Sequence, residues 1–242
     1  MHILGIIPAR YASSRFPGKP LVDIGGKTMI QRVYEQAKKC EHLTEVIVAT
    51  DDERIYDHVV NFGGVAIMTG ANHQSGTDRC AEVAAAYLHY QVVINIQGDE
   101  PYIDPGQISK LAVCFNSPDV QIATLVKRVK DVQELHNPNT PKVIVTKLTE
   151  AAYFSRSAIP HIRGEEGQNW LEFYPYFKHI GIYGYRSDVL QEITRLPVSS
   201  LEKAEALEQL RWIENGYRIK VAETDLETYA VDTPEDLLNL RF

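Results

Sequence analysis

The sequence predicts an α/β fold: a mostly parallel sheet with helices on both faces and one less regular insertion. Two observations carry this expectation. Short β-branched apolar runs recur through the first half of the chain, and segments with helical apolar spacing fill the gaps between them. Alternation of this kind favours parallel pairing, because each crossover helix returns the chain to the starting edge of the sheet. After Pro105 the rhythm loosens, and the residues between about 125 and 185 read as an insertion that forms a lid or dimer surface.

Taken in order, His2 to Pro8 (HILGIIP), Glu45 to Thr50 (EVIVAT), Val65 to Met68 and Val92 to Ile96 (VVINI) have the length and branching of buried strands. Between them, Thr28 to Cys40, Asp52 to Phe62 and Asp78 to Tyr90 are predicted helices. In the first, Met29-Ile30, Val33-Tyr34 and Ala37 recur at the spacing of one buried face. Asp51-Asp52 follows a strand and precedes a helix, where an N-cap belongs. In the second half strands are expected near Gln121 to Val129, Lys142 to Lys147, Lys178 to Tyr185 and Arg218 to Ala222. Helices are expected over Asp104 to Asn116, Ser187 to Arg195, Ser199 to Gly216 and Pro234 to Leu240. Asn137 to Pro141 and Gly164 to Asn169 carry the turn formers of loops. No repeat or low-complexity segment breaks the chain, so a single domain over 1–242 is expected.

Composition excludes several classes. A 242-residue chain that is 44% hydrophobic and 24% charged can bury a substantial core. A net charge of −7 argues against nonspecific binding to nucleic acid or to an anionic membrane. No run approaches the roughly 18 apolar residues of a membrane span. The apolar run before Pro8 is too short for a signal peptide and lacks a basic flank. Cys40, Cys80 and Cys114 form no metal-type pair, and a reducing compartment is expected.

Three clusters concentrate polar chemistry. The first, Ala9 to Pro20 (ARYASSRFPGKP), follows the first strand and offers Arg10, Arg15 and Lys19 with Ser13, Ser14 and Gly18. In open α/β sheets ligands bind beyond the carboxyl ends of strands, and cations beside small residues suit a polyanion there. A solvated basic turn is the alternative. The pattern is not a Walker loop, and Gly25-Gly26 reads as a turn. The second cluster, Asn95 to Pro101 (NIQGDEP), places Asp99 and Glu100 at a strand end. A magnesium ion takes one or two carboxylates together with phosphate oxygens and water; a turn or helix cap is the competing role. In the third, Val231 to Asp236 (VDTPED), Asp232 before Thr-Pro has the form of a helix N-cap.

Together IPARYASSRFPGKPL, VATDDERI, HQSGTDR, NIQGDEP, YFSRSAIP, HIGIYGYR, LEQLR and VDTPEDL, spread over nearly the whole chain, resemble the 3-deoxy-manno-octulosonate cytidylyltransferase family. The opening loop alone would indicate a sugar nucleotidyltransferase; HIGIYGYR followed by LEQLR narrows the resemblance to the octulosonate branch. It implies a Rossmann-like nucleotidyltransferase fold, a homodimer, a requirement for Mg²⁺ and a cytoplasmic location. The 125–185 region would contribute to the sugar site and to dimer contacts.

By matching position, the resemblance implies that Arg10, Ser13, Ser14, Arg15 and Lys19 hold the triphosphate and that Asp99 and Asp232 bind metal, which moves Asp232 from cap to ligand. Gln74, Ser75 and Gly76 would help form the cytosine pocket. Gln97, Arg156, His179, Tyr183, Glu208 and Gln209 would face the sugar. Read without the resemblance, His179 and Tyr183 share one face of a strand and could simply pack, and Glu208 could be a solvated helix residue. His73 and Arg79 are left without a role. The implied reaction joins CMP from CTP to an acidic 3-deoxy-octulosonate, releasing pyrophosphate, in lipopolysaccharide biosynthesis. Arg15 and Lys19 would stabilise the leaving pyrophosphate. An 8-amino octulosonate or a sialic acid is the nearest rival substrate, and a silent nucleotide-binding module is the rival from another class.

Overall fold

The computed structural model describes residues 1–12, 16–227 and 229–239. The chain opens with β1 (Ile3–Ala9), makes a hairpin of β2 (Asp23–Ile24) and β3 (Lys27–Thr28) around Gly25-Gly26, and enters α1 (Met29–Ala37). It then alternates through β4 (Glu45–Thr50), α2 (Glu53–Asn61), β5 (Ala66–Met68), α3 (Gly76–Ala86), β6 (Val92–Asn95), α4 (Pro105–Cys114) and β7 (Ile122–Arg128). The insertion holds α5 (Val132–His136), β8 (Lys142–Val145), β9 (Ala151–Ser155) and α6 (Trp170–Phe173). The chain closes with β10 (Phe177–Arg186), α7 (Ser187–Ile193), α8 (Ser200–Glu205), α9 (Gln209–Glu214), β11 (Ile219–Glu223) and a 3-10 segment, Pro234–Asn239.

Among the described residues β2 and β3 pair with each other in a separate two-stranded sheet, and the other nine strands form one sheet with the main order β11-β7-β10-β6-β1-β4-β5. The expected parallel pairing holds for β6, β1, β4 and β5. β10 is antiparallel to both β6 and β7, while β11 lies parallel to β7. β8 and β9 attach to β10 as an antiparallel flap.

Alternation along β1 shows how the sheet is buried twice. Ile3 and Ile7 join one core with α1, α2 and α4; Leu4 and Ile6 join the other with α3, α7 and α9. Helix starts are fixed by side chains that accept otherwise unpaired backbone N–H groups. Thr28 accepts from Gln31, Asp52 accepts from Arg54, and Ser75 forms a reciprocal box with Asp78. Such caps contribute about 1 kcal/mol each.

The structure differs from the sequence expectation in four places. The helix expected over Ser199 to Gly216 is two, because Ala206 takes a left-handed backbone (φ 50°) that ends α8. The segment after Pro234 is 3-10 rather than α-helical. α3 begins at Gly76 and ends at Ala86, since Ser75 rather than a later residue caps it and Tyr87 leaves the helical region. The insertion contains β9, α5 and α6, which are too short to register as periodic patterns. The three cysteines are free. No helix among the described residues is long and apolar enough to cross a membrane.

Candidate active site

The loop after β1 turns back at Gly18, whose N–H donates to the Tyr11 carbonyl at 2.9 Å. Gly18 has φ +74°, and a Cβ there would come within 3.1 Å of the Tyr11 ring, so glycine is required twice over. The Arg54 guanidinium covers the Tyr11 ring 3.4 Å from its centroid, and Arg54 also pairs with the α2 cap Asp52 at 2.6 Å. This turn delivers Lys19. Its Nζ lies 2.9 Å from Asp99 Oδ2, 2.9 Å from the Val231 carbonyl oxygen and 3.7 Å from Asp232 Oδ1. One lysine therefore gathers the loops after β1 and β6 and the C-terminal segment.

The loop after β6 approaches β1 closely. A Cβ on Gly98 would meet the Pro8 carbonyl oxygen at 2.9 Å, which explains the glycine before Asp99. Asp99 is not a helix cap: Asp104 caps α4, accepting from Gly106 N at 2.7 Å. Asp236, rather than Asp232, ties its turn, accepting the N–H groups of Asp232 at 2.9 Å and Thr233 at 2.8 Å. Those contacts hold the Asp236 carboxyl below its ordinary range.

Arg10, Lys19, Ser75, Gly76, Asp99 and Asp232 line one cavity of about 240 Å³. Its floor includes the N-terminus of α3, where unpaired N–H groups and the helix dipole favour an anion. Ser13, Ser14 and Arg15 lie outside the described residues. Gln74 is exposed, is not among the residues lining this cavity, and donates to the Asn72 carbonyl at 3.1 Å.

A second cavity of about 420 Å³ adjoins the first, and Gly76, Gln97 and Asp99 belong to the walls of both. His179, Tyr183, Glu208 and Gln209 line it. The rings of His179 and Tyr183 do pack, at 5.2 Å, while also facing the cavity. The register of β10 against β7 shifts between Ile180 and Tyr183. Gln97 Nε2 donates to the Gly181 carbonyl at 2.9 Å and so holds this bulge against β6. Burial pushes His179 down to about 3, which keeps its ring neutral. Burial pushes the Glu208 carboxyl up, and the hydroxyls of Thr77 and Ser75 pull it partly back. Among the described residues, buried polar atoms of Asn95, Tyr183 and Gln209 at this cavity have no hydrogen-bond partner.

Arg156 is placed elsewhere. Its guanidinium donates to the carbonyls of Glu205 (2.7 Å), Ala206 (3.2 Å) and Pro138 (3.0 Å), and it lines neither cavity. It holds the end of α8 and, through Ala206, a wall of the second cavity.

Sequence reasoning missed several residues at the site. Arg79, buried in α3, borders the first cavity, donates to Thr69 and pairs with Asp51 at 3.2 Å. Thr77 donates to Glu208 at 2.7 Å. Both fall inside HQSGTDR, so the signal was present without an assignment. Asn95 opens NIQGDEP but closes a strand pattern, which hides its polar role. Thr124, beneath the bulge, gave no signal because threonine is ordinary in a strand.

Cations and carboxylates at the carboxyl ends of parallel strands, beside a second polar cavity, define a site for transfer from a polyphosphate-bearing ligand. The chain belongs to the cytidylyltransferase family, whose model matches residues 4–220. It is 56% identical to a 3-deoxy-manno-octulosonate cytidylyltransferase of Parabacteroides distasonis, over 98% of this chain and 96% of that protein. It is 55% identical to the protein of the same name from Bacteroides thetaiotaomicron, with the same coverage. The solved structure of a CMP:2-keto-3-deoxy-manno-octonic acid synthetase complexed with CTP superposes with a TM-score of 0.92 at 46% identity, covering 99% of this chain and 96% of that one. A glucose-1-phosphate thymidylyltransferase structure from Bacillus anthracis, 18% identical with a TM-score of 0.66 over 98% of this chain and 93% of that one, shares the fold.

Proposed function

We propose that this enzyme activates 3-deoxy-manno-octulosonate with CTP, forming the CMP-sugar and pyrophosphate for lipopolysaccharide assembly. The observation that carries the reading is the shared wall: Gln97 and Asp99 face both a cation-lined cavity and a cavity rich in hydrogen-bonding groups. Triphosphate in the first and sugar in the second would bring their reacting atoms together at that seam. The anomeric hydroxyl oxygen bonds to the α-phosphorus and releases its proton to solvent water, the bond to the bridging oxygen breaks, and the electron pair leaves on pyrophosphate. Lys19 and Arg10 offset the charge of the triphosphate, and the α3 N-terminus adds aligned N–H donors. His179, Tyr183, Glu208 and Gln209 orient the sugar, which lowers the entropic part of the barrier.

Mg²⁺ fits the donor set. Asp99 and Asp232 are hard carboxylate donors at one cavity that also holds cationic side chains suited to phosphate. That matches an ion completed by phosphate oxygens and water. When bound, such an ion would neutralise phosphate charge and acidify a coordinated hydroxyl. Arg15 would join Lys19 at the leaving group. A cytoplasmic location and a homodimer belong to the same reading.

Pyrophosphate release with CTP, Mg²⁺ and the octulosonate tests the reaction, with UTP, the 8-amino sugar and a sialic acid as comparison arms. Release with the octulosonate and CTP is expected to dominate. No release with any sugar would turn the reading towards a silent nucleotide-binding module. Sedimentation analysis tests the dimer, and a monomer at micromolar concentration would remove it.

A further inference from the structure

The bulge in β10 rests on Thr124. This β7 residue is fully buried, and its Oγ1 lies 2.8 Å from the Ile182 carbonyl oxygen, 3.3 Å from that of Ile180 and 3.0 Å from His179 Nε2. A hydroxyl has one proton to give, and carbonyl oxygens only accept. The shortest of the three contacts, to Ile182, takes that proton. The Thr124 oxygen then accepts from the ring, so the hydrogen of His179 sits on Nε2. In a neutral imidazole the other nitrogen, Nδ1, is left as a bare acceptor.

We propose that Thr124 is a positioning residue that fixes His179 as the Nε2–H tautomer and presents Nδ1 to a sugar hydroxyl as a hydrogen-bond acceptor. His179 lines the cavity, and two packing contacts flank its ring. Phe154 meets it edge-on at 5.3 Å, and Tyr183 lies against it at 5.2 Å. Burial keeps the ring neutral, so Nδ1 retains its lone pair. The same hydroxyl anchors the bulge that Gln97 holds from the β6 side, so one buried group sets both the shape and the polarity of this wall. Had the hydroxyl donated to Nε2 instead, Nδ1 would be a donor and the wall would select the opposite partner.

The inference rests on the sugar reading of the second cavity, so its test has an arm that needs no substrate. Nitrogen-15 NMR of the unliganded protein labelled at histidine, with His179→Gln to assign the ring, reports the tautomer directly. A single Nε2–H form is expected in the wild type and in Thr124→Ser, and a mixed or Nδ1–H form in Thr124→Val. With substrates, Thr124→Val should raise the sugar KM about five- to tenfold, the loss of one hydrogen bond, with the CTP KM unchanged and Thr124→Ser restoring the wild-type value. An Nδ1–H ring in the wild type overturns the proposal, as does a Thr124→Val protein that keeps the single Nε2–H form. Should the valine variant not fold, the wild-type and serine spectra decide. Absence of turnover in the wild type would count against the reaction, while the spectra would still decide the role of Thr124.

Discussion

The Thr77 hydroxyl donates to the Glu208 carboxylate at 2.7 Å, which joins the first turn of α3, beside the cation-lined cavity, to the wall of the sugar cavity. Glu208 is thereby a carboxylate in a poorly solvated place, with hydroxyl partners and, among the described residues, no cation in hydrogen-bonding contact. Its folded value is raised, so between the ordinary value of 4.5 and the raised one the native state binds more proton than the unfolded state. Stability from this group is full below 4.5 and is lost as pH rises through the folded value. Glu208→Gln removes that loss. The variant should therefore gain melting temperature relative to wild type in alkaline buffer, with the difference vanishing in acid, while its sugar KM rises. Thermal melts across pH check the first expectation and steady-state kinetics the second; a difference that grows towards acid would contradict it.

Replacing Asp99 or Asp232 with Asn should remove most turnover while leaving the melting temperature within a few degrees of wild type. The tie between the two segments survives without these carboxylates, because Val231 N–H donates to the Asp99 carbonyl oxygen at 2.9 Å and Lys19 also donates to the Val231 carbonyl. A formal charge is lost at the proposed ion while the backbone stays connected. Near-normal turnover of both variants at saturating Mg²⁺ would remove them as ligands.

Lys19→Ala should weaken CTP far more than CMP. A charge-assisted hydrogen bond contributes about 1.5 to 3 kcal/mol, or roughly ten- to a hundredfold in affinity, and CMP lacks the phosphates it would meet. Calorimetric titration of both nucleotides measures this. Equal losses would mean that the lysine acts by holding the three loops together, as its contacts with Asp99 and Val231 also allow.

For Tyr183→Phe, function and stability should separate. Among the described residues the buried hydroxyl makes no hydrogen bond of ordinary geometry and feels only a weak influence of the Thr124 hydroxyl, so removing it takes away a poorly satisfied group, and the melting temperature should hold or rise. The sugar KM should nevertheless increase, with CTP binding unchanged. A variant with lowered stability and intact sugar kinetics would make Tyr183 a packing residue alone.

The first half of the fold was legible because each element there reports on itself. HILGIIP and EVIVAT are buried on both faces, and Met29 to Ala37 shows its apolar stripe within one helix. The antiparallel insertion of β10 between β6 and β7 could not be read, since pairing direction depends on contacts between distant segments. At the site, family motifs identified Lys19, Asp99, His179 and Glu208, and the cavities gather them. Arg156 shows the limit: a motif position marks a residue as needed without telling whether its guanidinium faces ligand or carbonyls. Thr124 shows the converse, for a buried strand threonine becomes informative only when its three neighbours are known.

The interruption at Ala206 has a geometric consequence for what a short peptide can present. On a continuous helix, successive side chains diverge by about 100°, so adjacent residues look into different surroundings. Ending α8 at the left-handed Ala206 redirects the chain, so that the opening turn of α9, where Glu208 already has helical angles (φ −57°, ψ −38°), meets the cavity with its first residues, and both Glu208 and Gln209 reach it. An acceptor and an amide donor thus stand side by side, a pairing matched to the alternating hydroxyls of a polyol. Regular secondary structure is given up over three residues, and a two-residue reading head is what the chain gains in its place.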